Sequence, residues 1–300
     1  GDVPKIDFRV YTAADGQRPK APAAEIYALI DADLQFAAAN LPANWRNAAG
    51  GNRFPGRLTK GAANGLLAKT QLYRRNWAAA LSAAQAVINS GEYSLAQNFG
   101  SIWTTAGENN SESLFEIQAS VGQSGADNFF SWHAIAQGVR GSGDWDLGWG
   151  WNTPTEKLVN DWSDSDPRKR ASILFSGQPD RYADVLLIAA EAANELGGAA
   201  NQRIAEDMLE LVRARARGGD NTILPKVVFQ DQSQMRTAIQ NERRFELALE
   251  GDRFFDLVRW GLAPTVLGGA GYTNRHRFYP IPQQAIDNSG GKLIQNPEWQ

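Results

Sequence analysis

The sequence predicts a mainly α-helical fold made of tetratricopeptide-like helix pairs, with a long irregular, loop-rich region between them. Three observations carry this expectation. Apolar residues recur at helical spacing across 58–95 and again from 181 onwards. Glycine pairs and capping residues stand where such helices would begin and end. Between the two helical stretches, residues 98–152 lose helical periodicity and become rich in glycine and tryptophan.

Composition narrows the class further. Three hundred residues suffice for a substantial core. The net charge of −3 argues against a nucleic-acid binder, which carries a basic face. Cysteine is absent, which excludes disulfides, thiolate metal sites and cysteine nucleophiles. Only His133 and His276 are available, so no histidine-rich metal site is expected and no cofactor is implied. No apolar run is long enough to form a membrane-spanning helix.

The elements follow in order. Residues 1–20 read as an extended polar lead. Pro22 opens a helix whose stripe is Ile26, Leu29, Ile30, Leu34 and Ala37, and Leu41-Pro42 stops it. A glycine- and asparagine-rich loop runs from Asn44 to Gly56. Thr59 is the expected N-cap of the next helix, with Ala63, Leu66, Leu67, Ala68 and Leu72 on its apolar face. Asn76 is the expected cap of its partner, which presents Trp77, Leu81, Ala84, Val87 and Ile88 and ends near Gly91. The stretch from Ser111 to Ser120 alternates well enough for a short strand. Thr153-Pro154-Thr155-Glu156 starts a short helix that ends before Asp166-Pro167. The segment from Arg181 to Gly198 is the clearest helix, stopped by Gly197-Gly198. Its partner runs from Ala200 to Arg217 and carries Ile204, Met208, Leu211 and Val212.

The segment Asn241 to Gly261 reads as one helix and its exit. It mixes Arg243, Arg244, Glu246, Glu250, Arg253 and Asp256 with Phe245, Phe254, Phe255 and Trp260. Charges among bulky apolar groups must be paired, because an unpaired buried ion costs several kcal/mol. An ion-pair lattice that fixes one fold is therefore expected here.

The residues Glu242, Arg243, Glu246, Leu247, Glu250, Gly251, Arg253, Asp256, Leu257, Arg259, Trp260 and Gly261 resemble the C-terminal signature of the SusD/RagB family. The stretch from Thr59 to Leu95, the Gly148–Asn152 element and the Pro280-Ile281-Pro282 segment are similar to the family as well. The resemblance implies a single SusD-like domain over 1–300, with 58–95 and 181–261 as helical scaffold and 98–152 as the candidate ligand-binding region. It implies non-catalytic capture of oligosaccharides, or in some branches peptides, at the cell surface. It further implies import through a SusC-like TonB-dependent transporter of the outer membrane. Family members are lipoproteins, so the lipid anchor would lie on a cysteine upstream of this chain. The family's longer N-terminal half-domain would precede it too.

The expected ligand residues come from the irregular region. Sugars present apolar C–H faces and many hydroxyls, which suit aromatic stacking beside polar side chains. Trp132 and Trp145 are candidates for stacking, and His133, Arg140 and Asp144 for hydrogen bonding. The alternative is that these tryptophans anchor a long loop to the helices. Two other function classes stay open: a helical-repeat scaffold that binds only protein, and a glycoside hydrolase using acids such as Asp144, Asp146 and Glu156.

Overall fold

The computed structural model describes residues 1–47, 49–50, 54, 56–118, 153–174 and 181–300. The chain is mainly helical, as expected. In order come β1 (Val3–Pro4), β2 (Lys20–Ala21), α1 (Ala23–Asn40), α2 (Lys60–Tyr73) and α3 (Trp77–Ile88). They are followed by α4 (Glu156–Asp161), α5 (Pro167–Leu174), α6 (Tyr182–Leu196), α7 (Ala199–Arg217) and α8 (Gln232–Glu246). The last are α9 (Asp252–Arg259), α10 (Ala263–Leu267) and α11 (Gln283–Asn288). Two compact units emerge, Gly1–Phe36 with Phe254–Gln300, and Ala37–Arg253.

In the unit over 37–253, α2 and α3 form one helical hairpin and α6 and α7 a second, with α6 packed against α2, α3 and α8. Helix α6 is buried from Tyr182 to Asn194, on every face. Its alanines at 183, 189, 190, 192 and 193 let neighbouring backbones approach closely. Leu72, Leu81, Ala84, Leu186, Ile188, Leu209, Val212, Met235 and Ile239 complete the core around it. Thr59 caps α2 as expected, accepting from the Ala62 amide. Gly197 and Gly198 end α6 with φ of 68° and 84°, a region few other residues tolerate.

Several expectations are corrected. Asn76 does not cap α3 with its side chain, which donates instead to Gln71 Oε1 at 2.9 Å. No strand forms over 111–118; the only ladder contact there is an isolated bridge between Ser113 and Arg181. The fully buried residues of α7 are Ala205, Leu209, Val212 and Ala216, with Ile204 and Met208 packed partly buried beside them, whereas Leu211 is exposed. The short helix α4 ends at Asp161, before Asp166-Pro167 as expected, and Pro167 opens a further helix, α5. The signature segment is two helices, because the chain turns between α8 and α9 with Leu249 and Gly251 at φ 68° and 90°.

The charged lattice expected of that segment is present. Glu242 receives Arg168 at 2.5 Å and Arg213 at 2.7 Å. Glu246 is shared by Arg168 at 2.8 Å, Arg181 at 2.6 Å and Arg215. Burial would raise the Glu246 carboxyl, but Arg215, Arg181 and Arg168 together hold it down to about 2. Glu112, before α4, joins the same group through Arg215 at 2.6 Å. Arg243 pairs with Asp184 at 2.6 Å, and Lys69 bridges Asp184 at 3.3 Å and Asp252 at 3.0 Å. Phe245 stacks on the buried Trp162 at 5.3 Å.

In the other unit, β1 and β2 pair antiparallel, Val3 opposite Ala21. The N-terminal lead is held by the C-terminal tail: Lys20 Nζ donates to Asn296 Oδ1 at 3.2 Å and Lys292 Nζ to the Gln17 carbonyl at 3.0 Å. Trp299 Nε1 donates to the Phe278 carbonyl at 2.7 Å.

Candidate functional site

A cleft of about 310 Å³ opens in the unit over 37–253, where three separate stretches meet. The first, 43–59, supplies Asn44, Trp45, Arg46 and Arg57; the second supplies Glu92 and Tyr93; the third, 109–116, supplies Asn109, Phe115 and Glu116. Backbone bonds bring them together. The Lys60 amide donates to the Pro42 carbonyl at 2.9 Å, closing the first loop at the start of α2. The Ser94 amide donates to the Ser111 carbonyl at 3.0 Å, joining the second and third.

Aromatic groups form one part of the lining. Trp45 is half-buried, and its indole N–H donates to the Leu58 carbonyl at 2.9 Å. Its ring meets Phe54 edge to face, 5.6 Å between centroids. The indole N–H is therefore spent within the protein, and Trp45 contributes its apolar body to the cleft. Tyr93 stacks on Tyr182 at the head of α6, 6.3 Å between centroids and 22° between planes. Burial pushes the Tyr93 phenol up, and its hydroxyl lies 2.8 Å from Thr59 Oγ1. Glycine at 61 leaves room for that ring, since a Cβ there would fall 2.3 Å from Tyr93.

Polar groups are fixed by one another. Asn44 Nδ2 donates to both Glu92 oxygens at 3.1 Å, and Arg46 reaches Glu92 at 2.9 Å. Glu116 accepts from the Asn109 amide at 2.8 Å and from Ser113 Oγ. The Arg57 guanidinium lies over Phe54 at 4.2 Å and over Trp45 at 5.2 Å. Apolar ring faces beside oriented amides, carboxylates and guanidinium groups suit a ligand with C–H faces and hydroxyl edges. Among the described residues no cluster of acids and histidines has the geometry to hold a metal ion.

Trp132, His133, Arg140, Asp144 and Trp145 all lie outside the described residues. The cleft uses other residues. The 44–56 stretch was read only as a glycine- and asparagine-rich loop, although Trp45, Arg46, Phe54 and Arg57 interleave aromatic rings with cations there. That interleaving was the available signal. Trp103 packs against Phe99 at 5.8 Å and under Arg181 at 5.6 Å, where it is part of the frame.

Residues 180–276 match the family model described as SusD family. The chain is 28% identical to "SusD-like protein P2" of Formosa agariphila, over 99% of this chain and 70% of that one. Among solved structures it resembles a "Laminarin binding SusD-like protein", with a TM-score of 0.78 and 26% identity, over 99% of this chain and 74% of that one. A SusD-like protein from Bacteroides fragilis shares the fold at a TM-score of 0.77 and 21% identity, over 99% and 75% of the two chains.

Proposed function

We propose, from the premise that this chain is a SusD-like protein of the SusD/RagB family, that it captures oligosaccharides without transforming them. The observation that carries the proposal is the half-buried Trp45, whose ring lines a cleft bordered by Asn44, Glu92 and Asn109. A pyranose ring placed on an aromatic ring is held by its C–H face, and the analogous stacking of a base on such a ring is worth roughly 1–3 kcal/mol. The fixed amides and carboxylates then meet its hydroxyls. A laminarin-binding relative of the same fold, alignable over nearly the whole chain, supports a glycan as the ligand.

Delivery to a SusC-like TonB-dependent transporter, and display on the outer membrane through an upstream lipid anchor, belong to the same proposal and rest on the family resemblance. Among the described residues no helix is long and apolar enough to cross a membrane. The irregular stretch offers further contacts in Trp132, His133, Arg140, Asp144 and Trp145, on composition alone.

Isothermal titration against laminarin, starch and mannan oligosaccharides tests the reading, with Trp45→Ala beside the wild type. Binding of at least one glycan, weakened about 10- to 100-fold by the substitution, is the expected result. Equal binding by both proteins would move the site away from this cleft. Reducing-sugar release during the titration would contradict capture without chemistry.

A further inference from the structure

Among the described residues that line the cleft, every charged group except one is already engaged. Arg46 is paired with Glu92 at 2.9 Å, and Glu92 also takes both bonds from Asn44. Glu116 is held by the Asn109 amide and by Ser113. The Arg57 side chain makes no hydrogen bond and no ion pair with any described residue. It is exposed, and its contacts are the rings of Phe54 and Trp45. The guanidinium carbon is thus held close to two aromatic rings, and its N–H groups have no partner among the described residues. A planar cation held in this way is pre-organised for two parallel hydrogen bonds to an oxyanion.

We propose that the cleft takes acidic glycans, with a carboxylate or sulfate group of the sugar docking edge-on against Arg57 while a neighbouring ring stacks on Trp45. This inference rests on the glycan-binding reading of the same cleft. The net charge of the chain is −3, so long-range attraction does not draw in an acidic polymer, and the selectivity must come from this local contact. The paired state of Arg46 also matters. Were both arginines free, the cleft would be a diffuse basic patch; with one free, it offers a single anion subsite at a defined distance from the stacking ring. A neutral glucan would leave that subsite to water.

The test is titration of the wild type, Arg57→Ala, Arg57→Lys and Trp45→Ala against three oligosaccharide sets: laminarin as the neutral glycan, polygalacturonate for carboxylates without sulfate, and κ-carrageenan for sulfate without carboxylate. The wild type should favour one acidic set over laminarin. Arg57→Ala should weaken that set about 10- to 100-fold, the worth of a charge-assisted bond, and weaken laminarin by a clearly smaller factor. Arg57→Lys should recover only part of the loss, because an ammonium has no planar fork. Binding of the acidic set should also fall as sodium chloride rises from about 50 to about 500 mM. Which acidic set prevails identifies the anion.

Laminarin binding with no acidic preference, or an Arg57→Ala loss equal on all three sets, overturns the inference and leaves the glycan-binding reading standing. Silence on all three sets overturns the inference, and silence on starch and mannan oligosaccharides as well overturns the glycan-binding reading. The melting temperature of each variant separates lost contacts from lost folding, and the exposed position of Arg57 predicts no change there.

Discussion

Arg168 on α5 and Glu246 at the end of α8 meet at 2.8 Å with both side chains wholly withdrawn from water. Neither ion is tolerable alone at that depth. Arg168 also reaches Glu242 at 2.5 Å and Asp166 at 2.8 Å, so one guanidinium is hydrogen-bonded to three carboxylates at once. Arg168→Met removes that compensation, and a loss of about 3–5 kcal/mol is expected from breaking such a buried network on one side. Urea unfolding measures it; a loss under about 1 kcal/mol would mean that water reaches these carboxylates.

The pH dependence of stability should carry the mark of Glu250. Burial pushes this carboxyl up to about 8 from the ordinary 4.5, against the pull of Arg181 at 2.6 Å. A group whose pKa is higher in the folded chain favours folding while protonated. Its contribution is complete below about 4.5 and disappears as the pH rises through about 8. Glu246 acts in the opposite sense, and its contribution is lost as the pH falls from about 4.5 towards about 2. Between pH 5 and 8.5 the wild type should therefore lose stability, and Glu250→Gln should flatten that slope. Melting temperatures at the two pH values decide it. A variant that is more harmed at pH 8.5 than at pH 5 would show that the ionised carboxylate is the preferred form.

Gly61 links the scaffold to the cleft. A methyl group there would fall 2.3 Å from the Tyr93 ring, so Gly61→Ala must displace that ring or shift α2. The expected cost is about 1–3 kcal/mol from overpacking. Glycan affinity should fall together with it, although the residue itself offers the ligand nothing. Unchanged affinity in a folded Gly61→Ala protein would remove Tyr93 from the binding surface.

Thr59 does two tasks with one oxygen: it caps α2 by accepting from the Ala62 amide at 3.1 Å and lies 2.8 Å from the Tyr93 hydroxyl. Thr59→Ala should cost about 1–2 kcal/mol in chemical denaturation, the usual worth of a lost cap. Thr59→Ser keeps the oxygen and should stay within about 0.5 kcal/mol of the wild type. Equal losses in the two variants would assign the effect to the methyl group.

What was legible in the sequence was local or chemically constrained. Thr59 and Gly197-Gly198 mark helix ends because the backbone there needs an acceptor or a positive φ, and neighbouring residues suffice to show it. The mixture of arginine, acid and aromatic residues in 241–261 implied buried pairing because no other arrangement is affordable. The break between α8 and α9 was not legible, since a leucine at φ 68° is imposed by its surroundings. On α7 the small Ala205 and Ala216 are buried while the larger Leu211 is exposed, so side-chain size did not mark the inward face. The cleft escaped notice because it joins stretches far apart in sequence through the Lys60–Pro42 and Ser94–Ser111 backbone bonds.

Glu246 takes its arginines from α5, from the residue just before α6, and from α7. None of these helices can peel away without leaving a carboxylate stranded in an apolar interior. Partial opening is thereby suppressed, and amide hydrogens along α5, α7 and α8 should exchange with solvent deuterium as one cooperative block. A frame that cannot fray locally keeps the geometry of its cleft until it fails as a whole.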